Sequence, residues 1–408
     1  MLPLTSFRYE VMRSALIMIV AGIAAGRLLD IPVSNTCIAY ILLALLFLAA
    51  LLRRWERVAS VTLMGALIVL GVFLIRNSDN SQASSLSYVE KIAAEMGEKR
   101  KMLTSKYVEQ GLSGDTYDIV AAMTLGEKKG ISKEARKVFS ASGGAHILAL
   151  SGMHLGILFM ILTFLLPTKR WPKISVLTEL LAIWAFVLLI GFQPSLLRAA
   201  VMLTIYSIAK MLSRNTRSMD VLAFTAALLL VVSPQWLFDV GFQMSFAAVT
   251  GILVLYGLIF RFLTYREKEA EQPSLLAVCC WTFYDGIVGL VVISLTAQLG
   301  VAPLVAYYFG NFPTYFILTN FIVTPAAFLI IILAIGLLMG IPLLTPLTMV
   351  VQGMHASLLW IKNLPYSNLE VRLSVWQTLL VYVIIISLCS LVYLCIRKTD
   401  RFLRAMPL

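Results

Sequence analysis

The chain has 408 residues, of which 60% are hydrophobic and only 13% charged, and its mean hydropathy is +0.89. Soluble globular proteins sit nearer half apolar and a quarter charged, so a soluble nucleic-acid-binding domain, a disordered chain and a disulfide-stapled secreted module are all excluded. The net charge of +12 is read first as the Lys and Arg that cytoplasmic loops collect as topology signals.

A helix needs about 20 apolar residues to cross the hydrocarbon core of a bilayer. Runs of that kind fall first at 14–29, 36–52 and 58–75. A polar stretch follows, and the runs resume at 145–166, 174–192, 195–212, 221–232, 240–260 and 275–308, then at 315–339, 343–361 and 375–396. The expected fold is therefore all-α: a polytopic integral membrane protein with about twelve transmembrane or re-entrant helices. Two runs are unusual. Residues 221–232 are short and stopped by Pro234, and 275–308 is too long for one straight span and holds Gly300 and Pro303. Short or Pro/Gly-interrupted segments mark backbone that lines a protein-filled or watery cavity.

Basic residues set the orientation. With the N-terminus inside, alternate connections hold Arg8 and Arg13; Arg53, Arg54 and Arg57; Lys169, Arg170 and Lys173; Lys210, Arg214 and Arg217; Arg261, Arg266 and Lys268; then Arg397, Lys398, Arg401 and Arg404. The short outer turns hold only Arg27, Lys362 and Arg372. That asymmetry predicts cytoplasmic N- and C-termini, in a multi-pass protein of the bacterial cytoplasmic membrane. The long stretch 76–141 then lies outside. Its first part, 77–87, reads as a polar linker. Residues 88–107 read as a charged amphipathic helix with Val89, Ile92, Ala93, Met96 and Leu103 on one side. Two short interfacial helices are expected at 118–125 and 132–139, the second with a basic outer face of Lys133, Arg136 and Lys137.

Three clusters carry candidate chemistry. The first runs from Ser142-Gly143-Gly144 through His146 to Ser151-Gly152-Met153-His154. Ser151 and His154 share a face if the helix continues through them. Ionisable groups at membrane depth mark a pathway, or both histidines bond backbone carbonyls and fix packing; the residues leave these readings even. The second is Gln193-Pro194-Ser195 with Arg198 one turn on. A new helix N-terminus there suits an anion, while the plainer and slightly favoured reading is a tight hairpin with Arg198 reaching outer headgroups. The third is Asp239, a candidate N-cap, with Gln243 on the same helix face. Asp285, Gln298 and Asn320 stand isolated in apolar sequence, as polar contacts between helices commonly do. The aromatic group Tyr307, Tyr308, Phe309, Phe312, Tyr315 and Phe316 reads as an interfacial belt. The five cysteines lack zinc-ligand spacing, so no metal, cofactor or catalytic residue is expected.

With these residues in place, the chain resembles the membrane core of the ComEC-type competence proteins. The carrying motifs, in order, are MTLGEKKGIS, HILALSGMHLGIL, QPSLLRAA, SPQWLFDVGFQMSFAAVTGI, and the 298–325 region with AQLGVAPL, YYFGNFP and LTNFIVTP. The resemblance covers roughly residues 115–330. It implies a channel that carries single-stranded DNA across the bacterial inner membrane in natural transformation, with His146, Ser151, His154, Arg198, Asp239 and Gln243 in the shared core. Longer family members add an OB-fold-like domain and a metallo-β-lactamase-like domain. Here 76–141 reads as helix and no HxHxDH run occurs, so a separate nuclease is expected, with a DNA receptor and a cytoplasmic motor as further partners beside membrane lipids. The expected division is three N-terminal helices over 1–75, an outer linker and amphipathic helices over 76–141, the channel core over 142–396 and a basic cytoplasmic tail over 397–408. Two other readings remain: a secondary transporter or lipid-handling protein, and, less favoured, an intramembrane hydrolase built on Ser151 with a histidine, for which no oxyanion donor or orienting acid is evident.

Overall fold

A computed structural model describes residues 4–29, 33–78, 82–148, 150–166, 170–212, 217–264 and 275–405. Its helices are, in chain order, α1 (Leu4–Leu28), α2 (Asn35–Leu51), α3 (Glu56–Asn77), α4 (Gln82–Glu109), α5 (Gly114–Leu125), α6 (Lys133–Ala141), α7 (Ala145–Leu148) and α8 (Gly152–Leu165). They continue with α9 (Pro172–Ile190), α10 (Pro194–Met211), α11 (Ser218–Val232), α12 (Val240–Leu263), α13 (Leu275–Tyr308), α14 (Phe316–Leu338), α15 (Leu344–Lys362) and α16 (Val375–Ala405). The expected basic residues Lys169, Arg214, Arg266 and Lys268 lie outside the described residues, as do the side chains of Val89, Ile92 and Ala93.

Among the described residues, six helical stretches are long and apolar enough to cross a membrane: Val58–Asn77, Pro172–Ile190, Val240–Leu263, Val278–Tyr308, Phe316–Leu338 and Leu344–Lys362. Four shorter apolar helices accompany them, at Asn35–Leu51, Gly152–Leu165, Ser218–Val232 and Val375–Leu391. Large side chains such as Phe47, Phe164 and Phe283 stand exposed on them. In water such surfaces would drive association; in a bilayer they are what lipid tails cover.

The chain forms two compact units, and each interleaves early and late sequence. The first holds Met1–Met102 and Ser151–Gln243, the second Leu103–Leu150 and Met244–Leu408. In the first unit α1 packs on α3 and α11, α2 on α3, and α10 on α8, α9 and α11. Glycine sets the closest approach: a Cβ on Gly22 would meet the Ile68 carbonyl, and one on Gly71 the Ile19 carbonyl. Such small-residue contacts replace the hydrophobic drive that lipid cannot supply. Between α9 and α10 the tie is polar: Trp184 Nε1 donates to Thr204 Oγ1 (3.1 Å), and Thr204 in turn donates to the Ala200 carbonyl (2.7 Å).

In the second unit α5 packs against α14 and α15, α6 against α7 and α15, and α13 against α14 and α16. The short strands β1 (Asn311–Pro313) and β2 (Asn368–Glu370) pair antiparallel, Phe312 opposite Leu369. Gly251 on α12 abuts the Thr296 carbonyl, and Gly300 on α13 abuts the Ala247 carbonyl.

The structure corrects several expectations. The run 145–166 is not one helix, because it breaks between α7 and α8. The segment 275–308 is one unbroken helix despite Pro303, about 51 Å long at 1.5 Å per residue. Helix α4 begins at Gln82, so most of the expected linker is helical, and α16 carries helix through 397–405 of the expected tail. Helix α5 is no surface element: Ile119 through Leu125 are all buried. Beyond its polar first turn the stretch 119–125 is apolar save for Thr124, which suits a core helix and gives no amphipathic face. Helix α6 does keep its expected face, with Lys133, Arg136 and Lys137 exposed and Ala135, Val138 and Phe139 buried.

The C-terminal end of α4 is anchored to α5 by Tyr107, which is fully buried and donates to Thr124 Oγ1 (3.3 Å). Burial pushes its phenol up to about 12. Because the folded state resists ionisation of this phenol, it gives stability that is fully present below the ordinary tyrosine range and lost as pH climbs through about 12. Tyr107→Phe should therefore lower thermal stability in detergent at neutral pH and remove one high-pH step from the tyrosinate absorbance titration. Gly251→Ala should cost about 1–3 kcal/mol by overpacking. Gly257→Ala, on the same helix with nothing within 4 Å of an added Cβ, should cost nothing measurable in the same melts.

Candidate functional site

The site in the first unit is built on a break. Helix α9 ends at Ile190, and Gly191 (φ 92°) and Phe192 (φ 52°) both enter the left-handed region. That suits glycine but strains a bulky residue such as Phe192. Their N–H groups both return to the Val187 carbonyl (3.1 Å each), and Arg100 Nη1 donates to the Ile190 carbonyl (2.7 Å). Half-buried Gln193 then turns the chain, and Pro194, with no N–H to lose, opens α10.

Arg198 lies one turn into α10 and is only 5% exposed. Nη2 donates to the Gly241 carbonyl (3.0 Å), and Nη1 lies 3.8 Å from Asp239 Oδ1. That same Asp239 oxygen accepts the Phe242 N–H (2.7 Å), so it caps α12 as the sequence suggests while serving as counter-ion to Arg198. Gln243 is drawn elsewhere: its Nε2 donates to the Leu237 carbonyl (2.9 Å) and pins the 3-10 turn Pro234–Phe238. Asp239 Oδ1 and Gln243 Nε2 thus engage different groups, one a backbone N–H of α12 and the other the Leu237 carbonyl. Nor does Arg198 reach toward headgroups, because a carbonyl and a carboxylate within the unit hold it.

Ser151 sits just before α8, not inside a continuing helix. The buried His154 accepts the Ser151 N–H at Nδ1 (3.2 Å), with Ser151 Oγ also 3.1 Å from that nitrogen. Nδ1 as acceptor places the ring proton on Nε2. His154 thus caps its own helix and bonds no carbonyl through Nδ1. Next to it, a Cβ on Gly152 would lie 3.2 Å from the Ala199 side chain. The start of α8 is thereby set against the first turns of α10, and Gly241 brings the start of α12 to Arg198.

The starts of α10 and α12 meet at one buried guanidinium, and the start of α8 lies against the neighbouring Ala199. Each leaves N–H groups without helical partners and carries a positive dipole end. None has an acidic residue in its first turn. The Asp239 side chain, half exposed, is the carboxylate set against Arg198. Fixed charge and helix N–H groups are the elements from which anion sites are built.

The remaining sequence candidates lie in the second unit. His146 bonds the Gly143 carbonyl through Nδ1 (3.0 Å), a contact of the kind that one of its two open readings describes. The Ser-Gly-Gly turn is held from several sides: Thr319 Oγ1 donates to the Ser142 carbonyl (2.6 Å), and Gly143, at φ 85°, lies against Pro313. Beside Thr319, Asn320 Oδ1 is buried with no hydrogen-bond partner among the described residues. Gln298 is half buried on α13. On the basic face of α6 Arg136 donates to the Lys128 carbonyl (2.7 Å), and burial, then the Arg136 charge, pushes the Lys128 amine down. In the aromatic group Tyr307 meets Tyr308 edge-on and Phe312 meets Phe316 edge-on. Arg100 and Gly241 carry no signal of their own in the sequence; their roles appear only when 190 and 198 become neighbours of residues far along the chain.

A family model described as "Competence protein" matches residues 123–394. ComE operon protein 3 of Bacillus subtilis is 31% identical over 218 residues, 52% of this chain and 25% of that protein. An uncharacterized protein of Aquifex aeolicus is 30% identical over 210 residues, covering 51% of this chain and 45% of its own length. The uncharacterized protein YcaI of Escherichia coli is 24% identical over 277 residues, 64% of this chain and 35% of that protein. The chain thus spans less than half the length of these curated relatives. No solved structure matches.

The buried charge gives a direct test. Asp239→Asn keeps the α12 cap but leaves Arg198 without its counter-ion, and should cost about 1–3 kcal/mol, less than a fully buried pair because Asp239 is half exposed. Double substitution with Arg198→Leu should restore part of that loss in the same thermal melts.

Proposed function

The chain belongs to the competence protein family, and we propose that it forms an inner-membrane channel for the uptake of single-stranded DNA in natural transformation. The observation that carries this reading is buried Arg198 where the starts of α10 and α12 meet, with the start of α8 against Ala199. A DNA strand must bring phosphates past an apolar barrier about 30 Å thick. Arg198, its charge partly balanced by Asp239, attracts a phosphate without holding it permanently. The helix N–H groups supply further donors that do not discriminate between bases. Ser151, His154 and Gln193 lie along the same set of helix starts, and Gln298 and Asn320 supply polar groups in the second unit. The exposed Lys133, Arg136 and Lys137 draw the strand to the outer surface. Aromatic faces near Phe312 and Tyr308 tolerate any base.

The topology that goes with this reading has about twelve transmembrane or re-entrant helices and both termini in the cytoplasm. A separate nuclease, an outer DNA receptor and a cytoplasmic motor complete the route, and the chain itself performs no chemistry. The runner-up, a lipid-handling protein, is favoured by one feature. A cavity of 710 Å³ in the second unit is lined by Ala247, Gly251, Val254, Leu255, Leu299 and Ile386, among others, which suits an acyl chain.

Proteoliposomes loaded with the purified protein separate the two. Labelled single-stranded DNA should enter wild-type vesicles and enter progressively less as salt rises. Arg198→Gln should cut entry roughly tenfold, the effect of one lost charge-assisted contact. No entry at any salt, with exchange of labelled phospholipid instead, would replace the channel with the lipid-handling reading.

A further inference from the structure

Within the second unit, α12, α13 and α16 leave a groove of 710 Å³ between them. Its floor is α13. Gly251 of α12 abuts the Thr296 carbonyl there, and Gly300 abuts the Ala247 carbonyl, so α12 and α13 touch backbone to backbone. From the other side the Tyr382 hydroxyl of α16 donates to the Gly300 carbonyl (2.7 Å). Helices α12 and α16 are each fastened to α13 and form the two walls. Val254 on one wall and Ile386 on the other are 55% and 64% exposed, so the groove opens sideways past these two side chains.

The α12 wall is a stripe of residues three and four apart, from Ala247 through Thr250 and Val254 to Leu258. At 1.5 Å per residue it rises about 16 Å. The next position of the same stripe is Arg261, one turn beyond Leu258, which stands exposed in the last turn of α12.

Length, volume and chemistry select the occupant. Helices α12 and α13 are both long and apolar enough to cross a membrane, so the groove lies at hydrocarbon depth. Its lining is aliphatic save for Thr250, Ser390, Cys389 and Tyr382, whose hydroxyl already donates to Gly300. Apolar spaces of this kind do not hold water. A helix from a second copy is too thick: at 10–12 Å across, a 16 Å stretch of one fills more than about 1,200 Å³. An acyl chain fits. It spans one leaflet, half of an apolar layer about 30 Å thick, which matches the height of the α12 wall. Its phosphate then comes level with Arg261.

We propose that this groove is the binding site of a resident bilayer phospholipid, with one acyl chain lying between α12 and α16 on the floor of α13 and the phosphate against Arg261. The chain fills the wedge between the two walls and holds them at a fixed spacing. The lipid is a fixed part of the structure and not cargo, so the site does not depend on which reading of what crosses the membrane stands.

The test uses the full chain in nanodiscs that contain an anionic phospholipid with a photoreactive diazirine in its acyl chain. After irradiation, peptide mass spectrometry should place crosslinks on Val254, Leu258, Ile386 and Cys389 in excess over α2, whose exposed Tyr40 and Phe47 measure ordinary lipid contact. Val254→Trp, or Ile386→Trp from the other wall, puts an indole into the groove from an already exposed position. Either should lower groove crosslinking roughly tenfold, the worth of about two methylenes kept out, with the α2 yield and the melting temperature unchanged. Arg261→Gln should lower it about fivefold, the effect of one cation beside an anionic headgroup. Equal crosslinking of the groove and α2, unmoved by the tryptophans or by Arg261→Gln, would overturn the proposal. So would a disulfide between copies formed by Val254→Cys in the bilayer, which would put a second copy on the groove.

Discussion

A guanidinium buried among apolar helices must be answered from within the protein. Arg198 is answered by the carbonyl of Gly241 and the carboxylate of Asp239, and those two contacts dictate much of the first unit. They require α10 to start where α9 breaks, α12 to start beside it, and the 3-10 turn before Asp239 to be pinned by Gln243. A Cβ at Gly241 would stand 3.1 Å from Asp239 Oδ1 and 3.4 Å from Arg198 Nη2, so only a minimal side chain leaves the pair its approach. Removing the pair in favour of well-packed apolar residues would usually be neutral or stabilising. The helix starts beside it carry positive dipole ends, the kind of setting in which proteins hold anions.

The local grammar of this arrangement was legible in the sequence. Gly191 and Pro194 mark the break, and Asp239 caps the helix it precedes, because caps and breakers act over a few residues. The pairing was not legible. Arg198 and Gly241 are 43 residues apart, and the apolar runs between them give no clue to which helices touch. On sequence alone, a hairpin with Arg198 at the headgroups was therefore the plainer reading. The two-stranded ribbon of Asn311–Pro313 with Asn368–Glu370 was hidden for a similar reason: three residues are too few for alternation to show. Helix α5 was misplaced because a short helix flanked by polar turns looks interfacial until Ile119–Leu125 are seen to be buried on all sides. Pro303 signalled an interruption that does not occur: an interior proline removes one N–H bond and crowds one carbonyl, and the helix runs on through it.

Glu179 is the opposite case. It was visible as a letter but lost inside a run of apolar neighbours, and nothing local distinguishes it from a solvated helix residue. Its meaning comes from a hydroxyl sixteen residues earlier on the facing helix. Both of these buried ionisable residues thus take polar partners from other helices: Arg198 a carbonyl and a carboxylate, Glu179 a threonine.

The central claim is that the cluster around Arg198 is a wet, anion-attracting passage and not dry cement between helices. Cysteine introduced singly at Gln193 and Ser195, in a variant without the native cysteines and embedded in sealed vesicles, tests it most directly through reaction with a charged, membrane-impermeant thiol reagent. The account predicts that both positions react, faster with an anionic reagent than with a cationic one, and that single-stranded DNA slows the reaction. Cysteines that stay unreactive from both sides of the membrane, in a protein whose exposed control cysteine is fully modified, would contradict it.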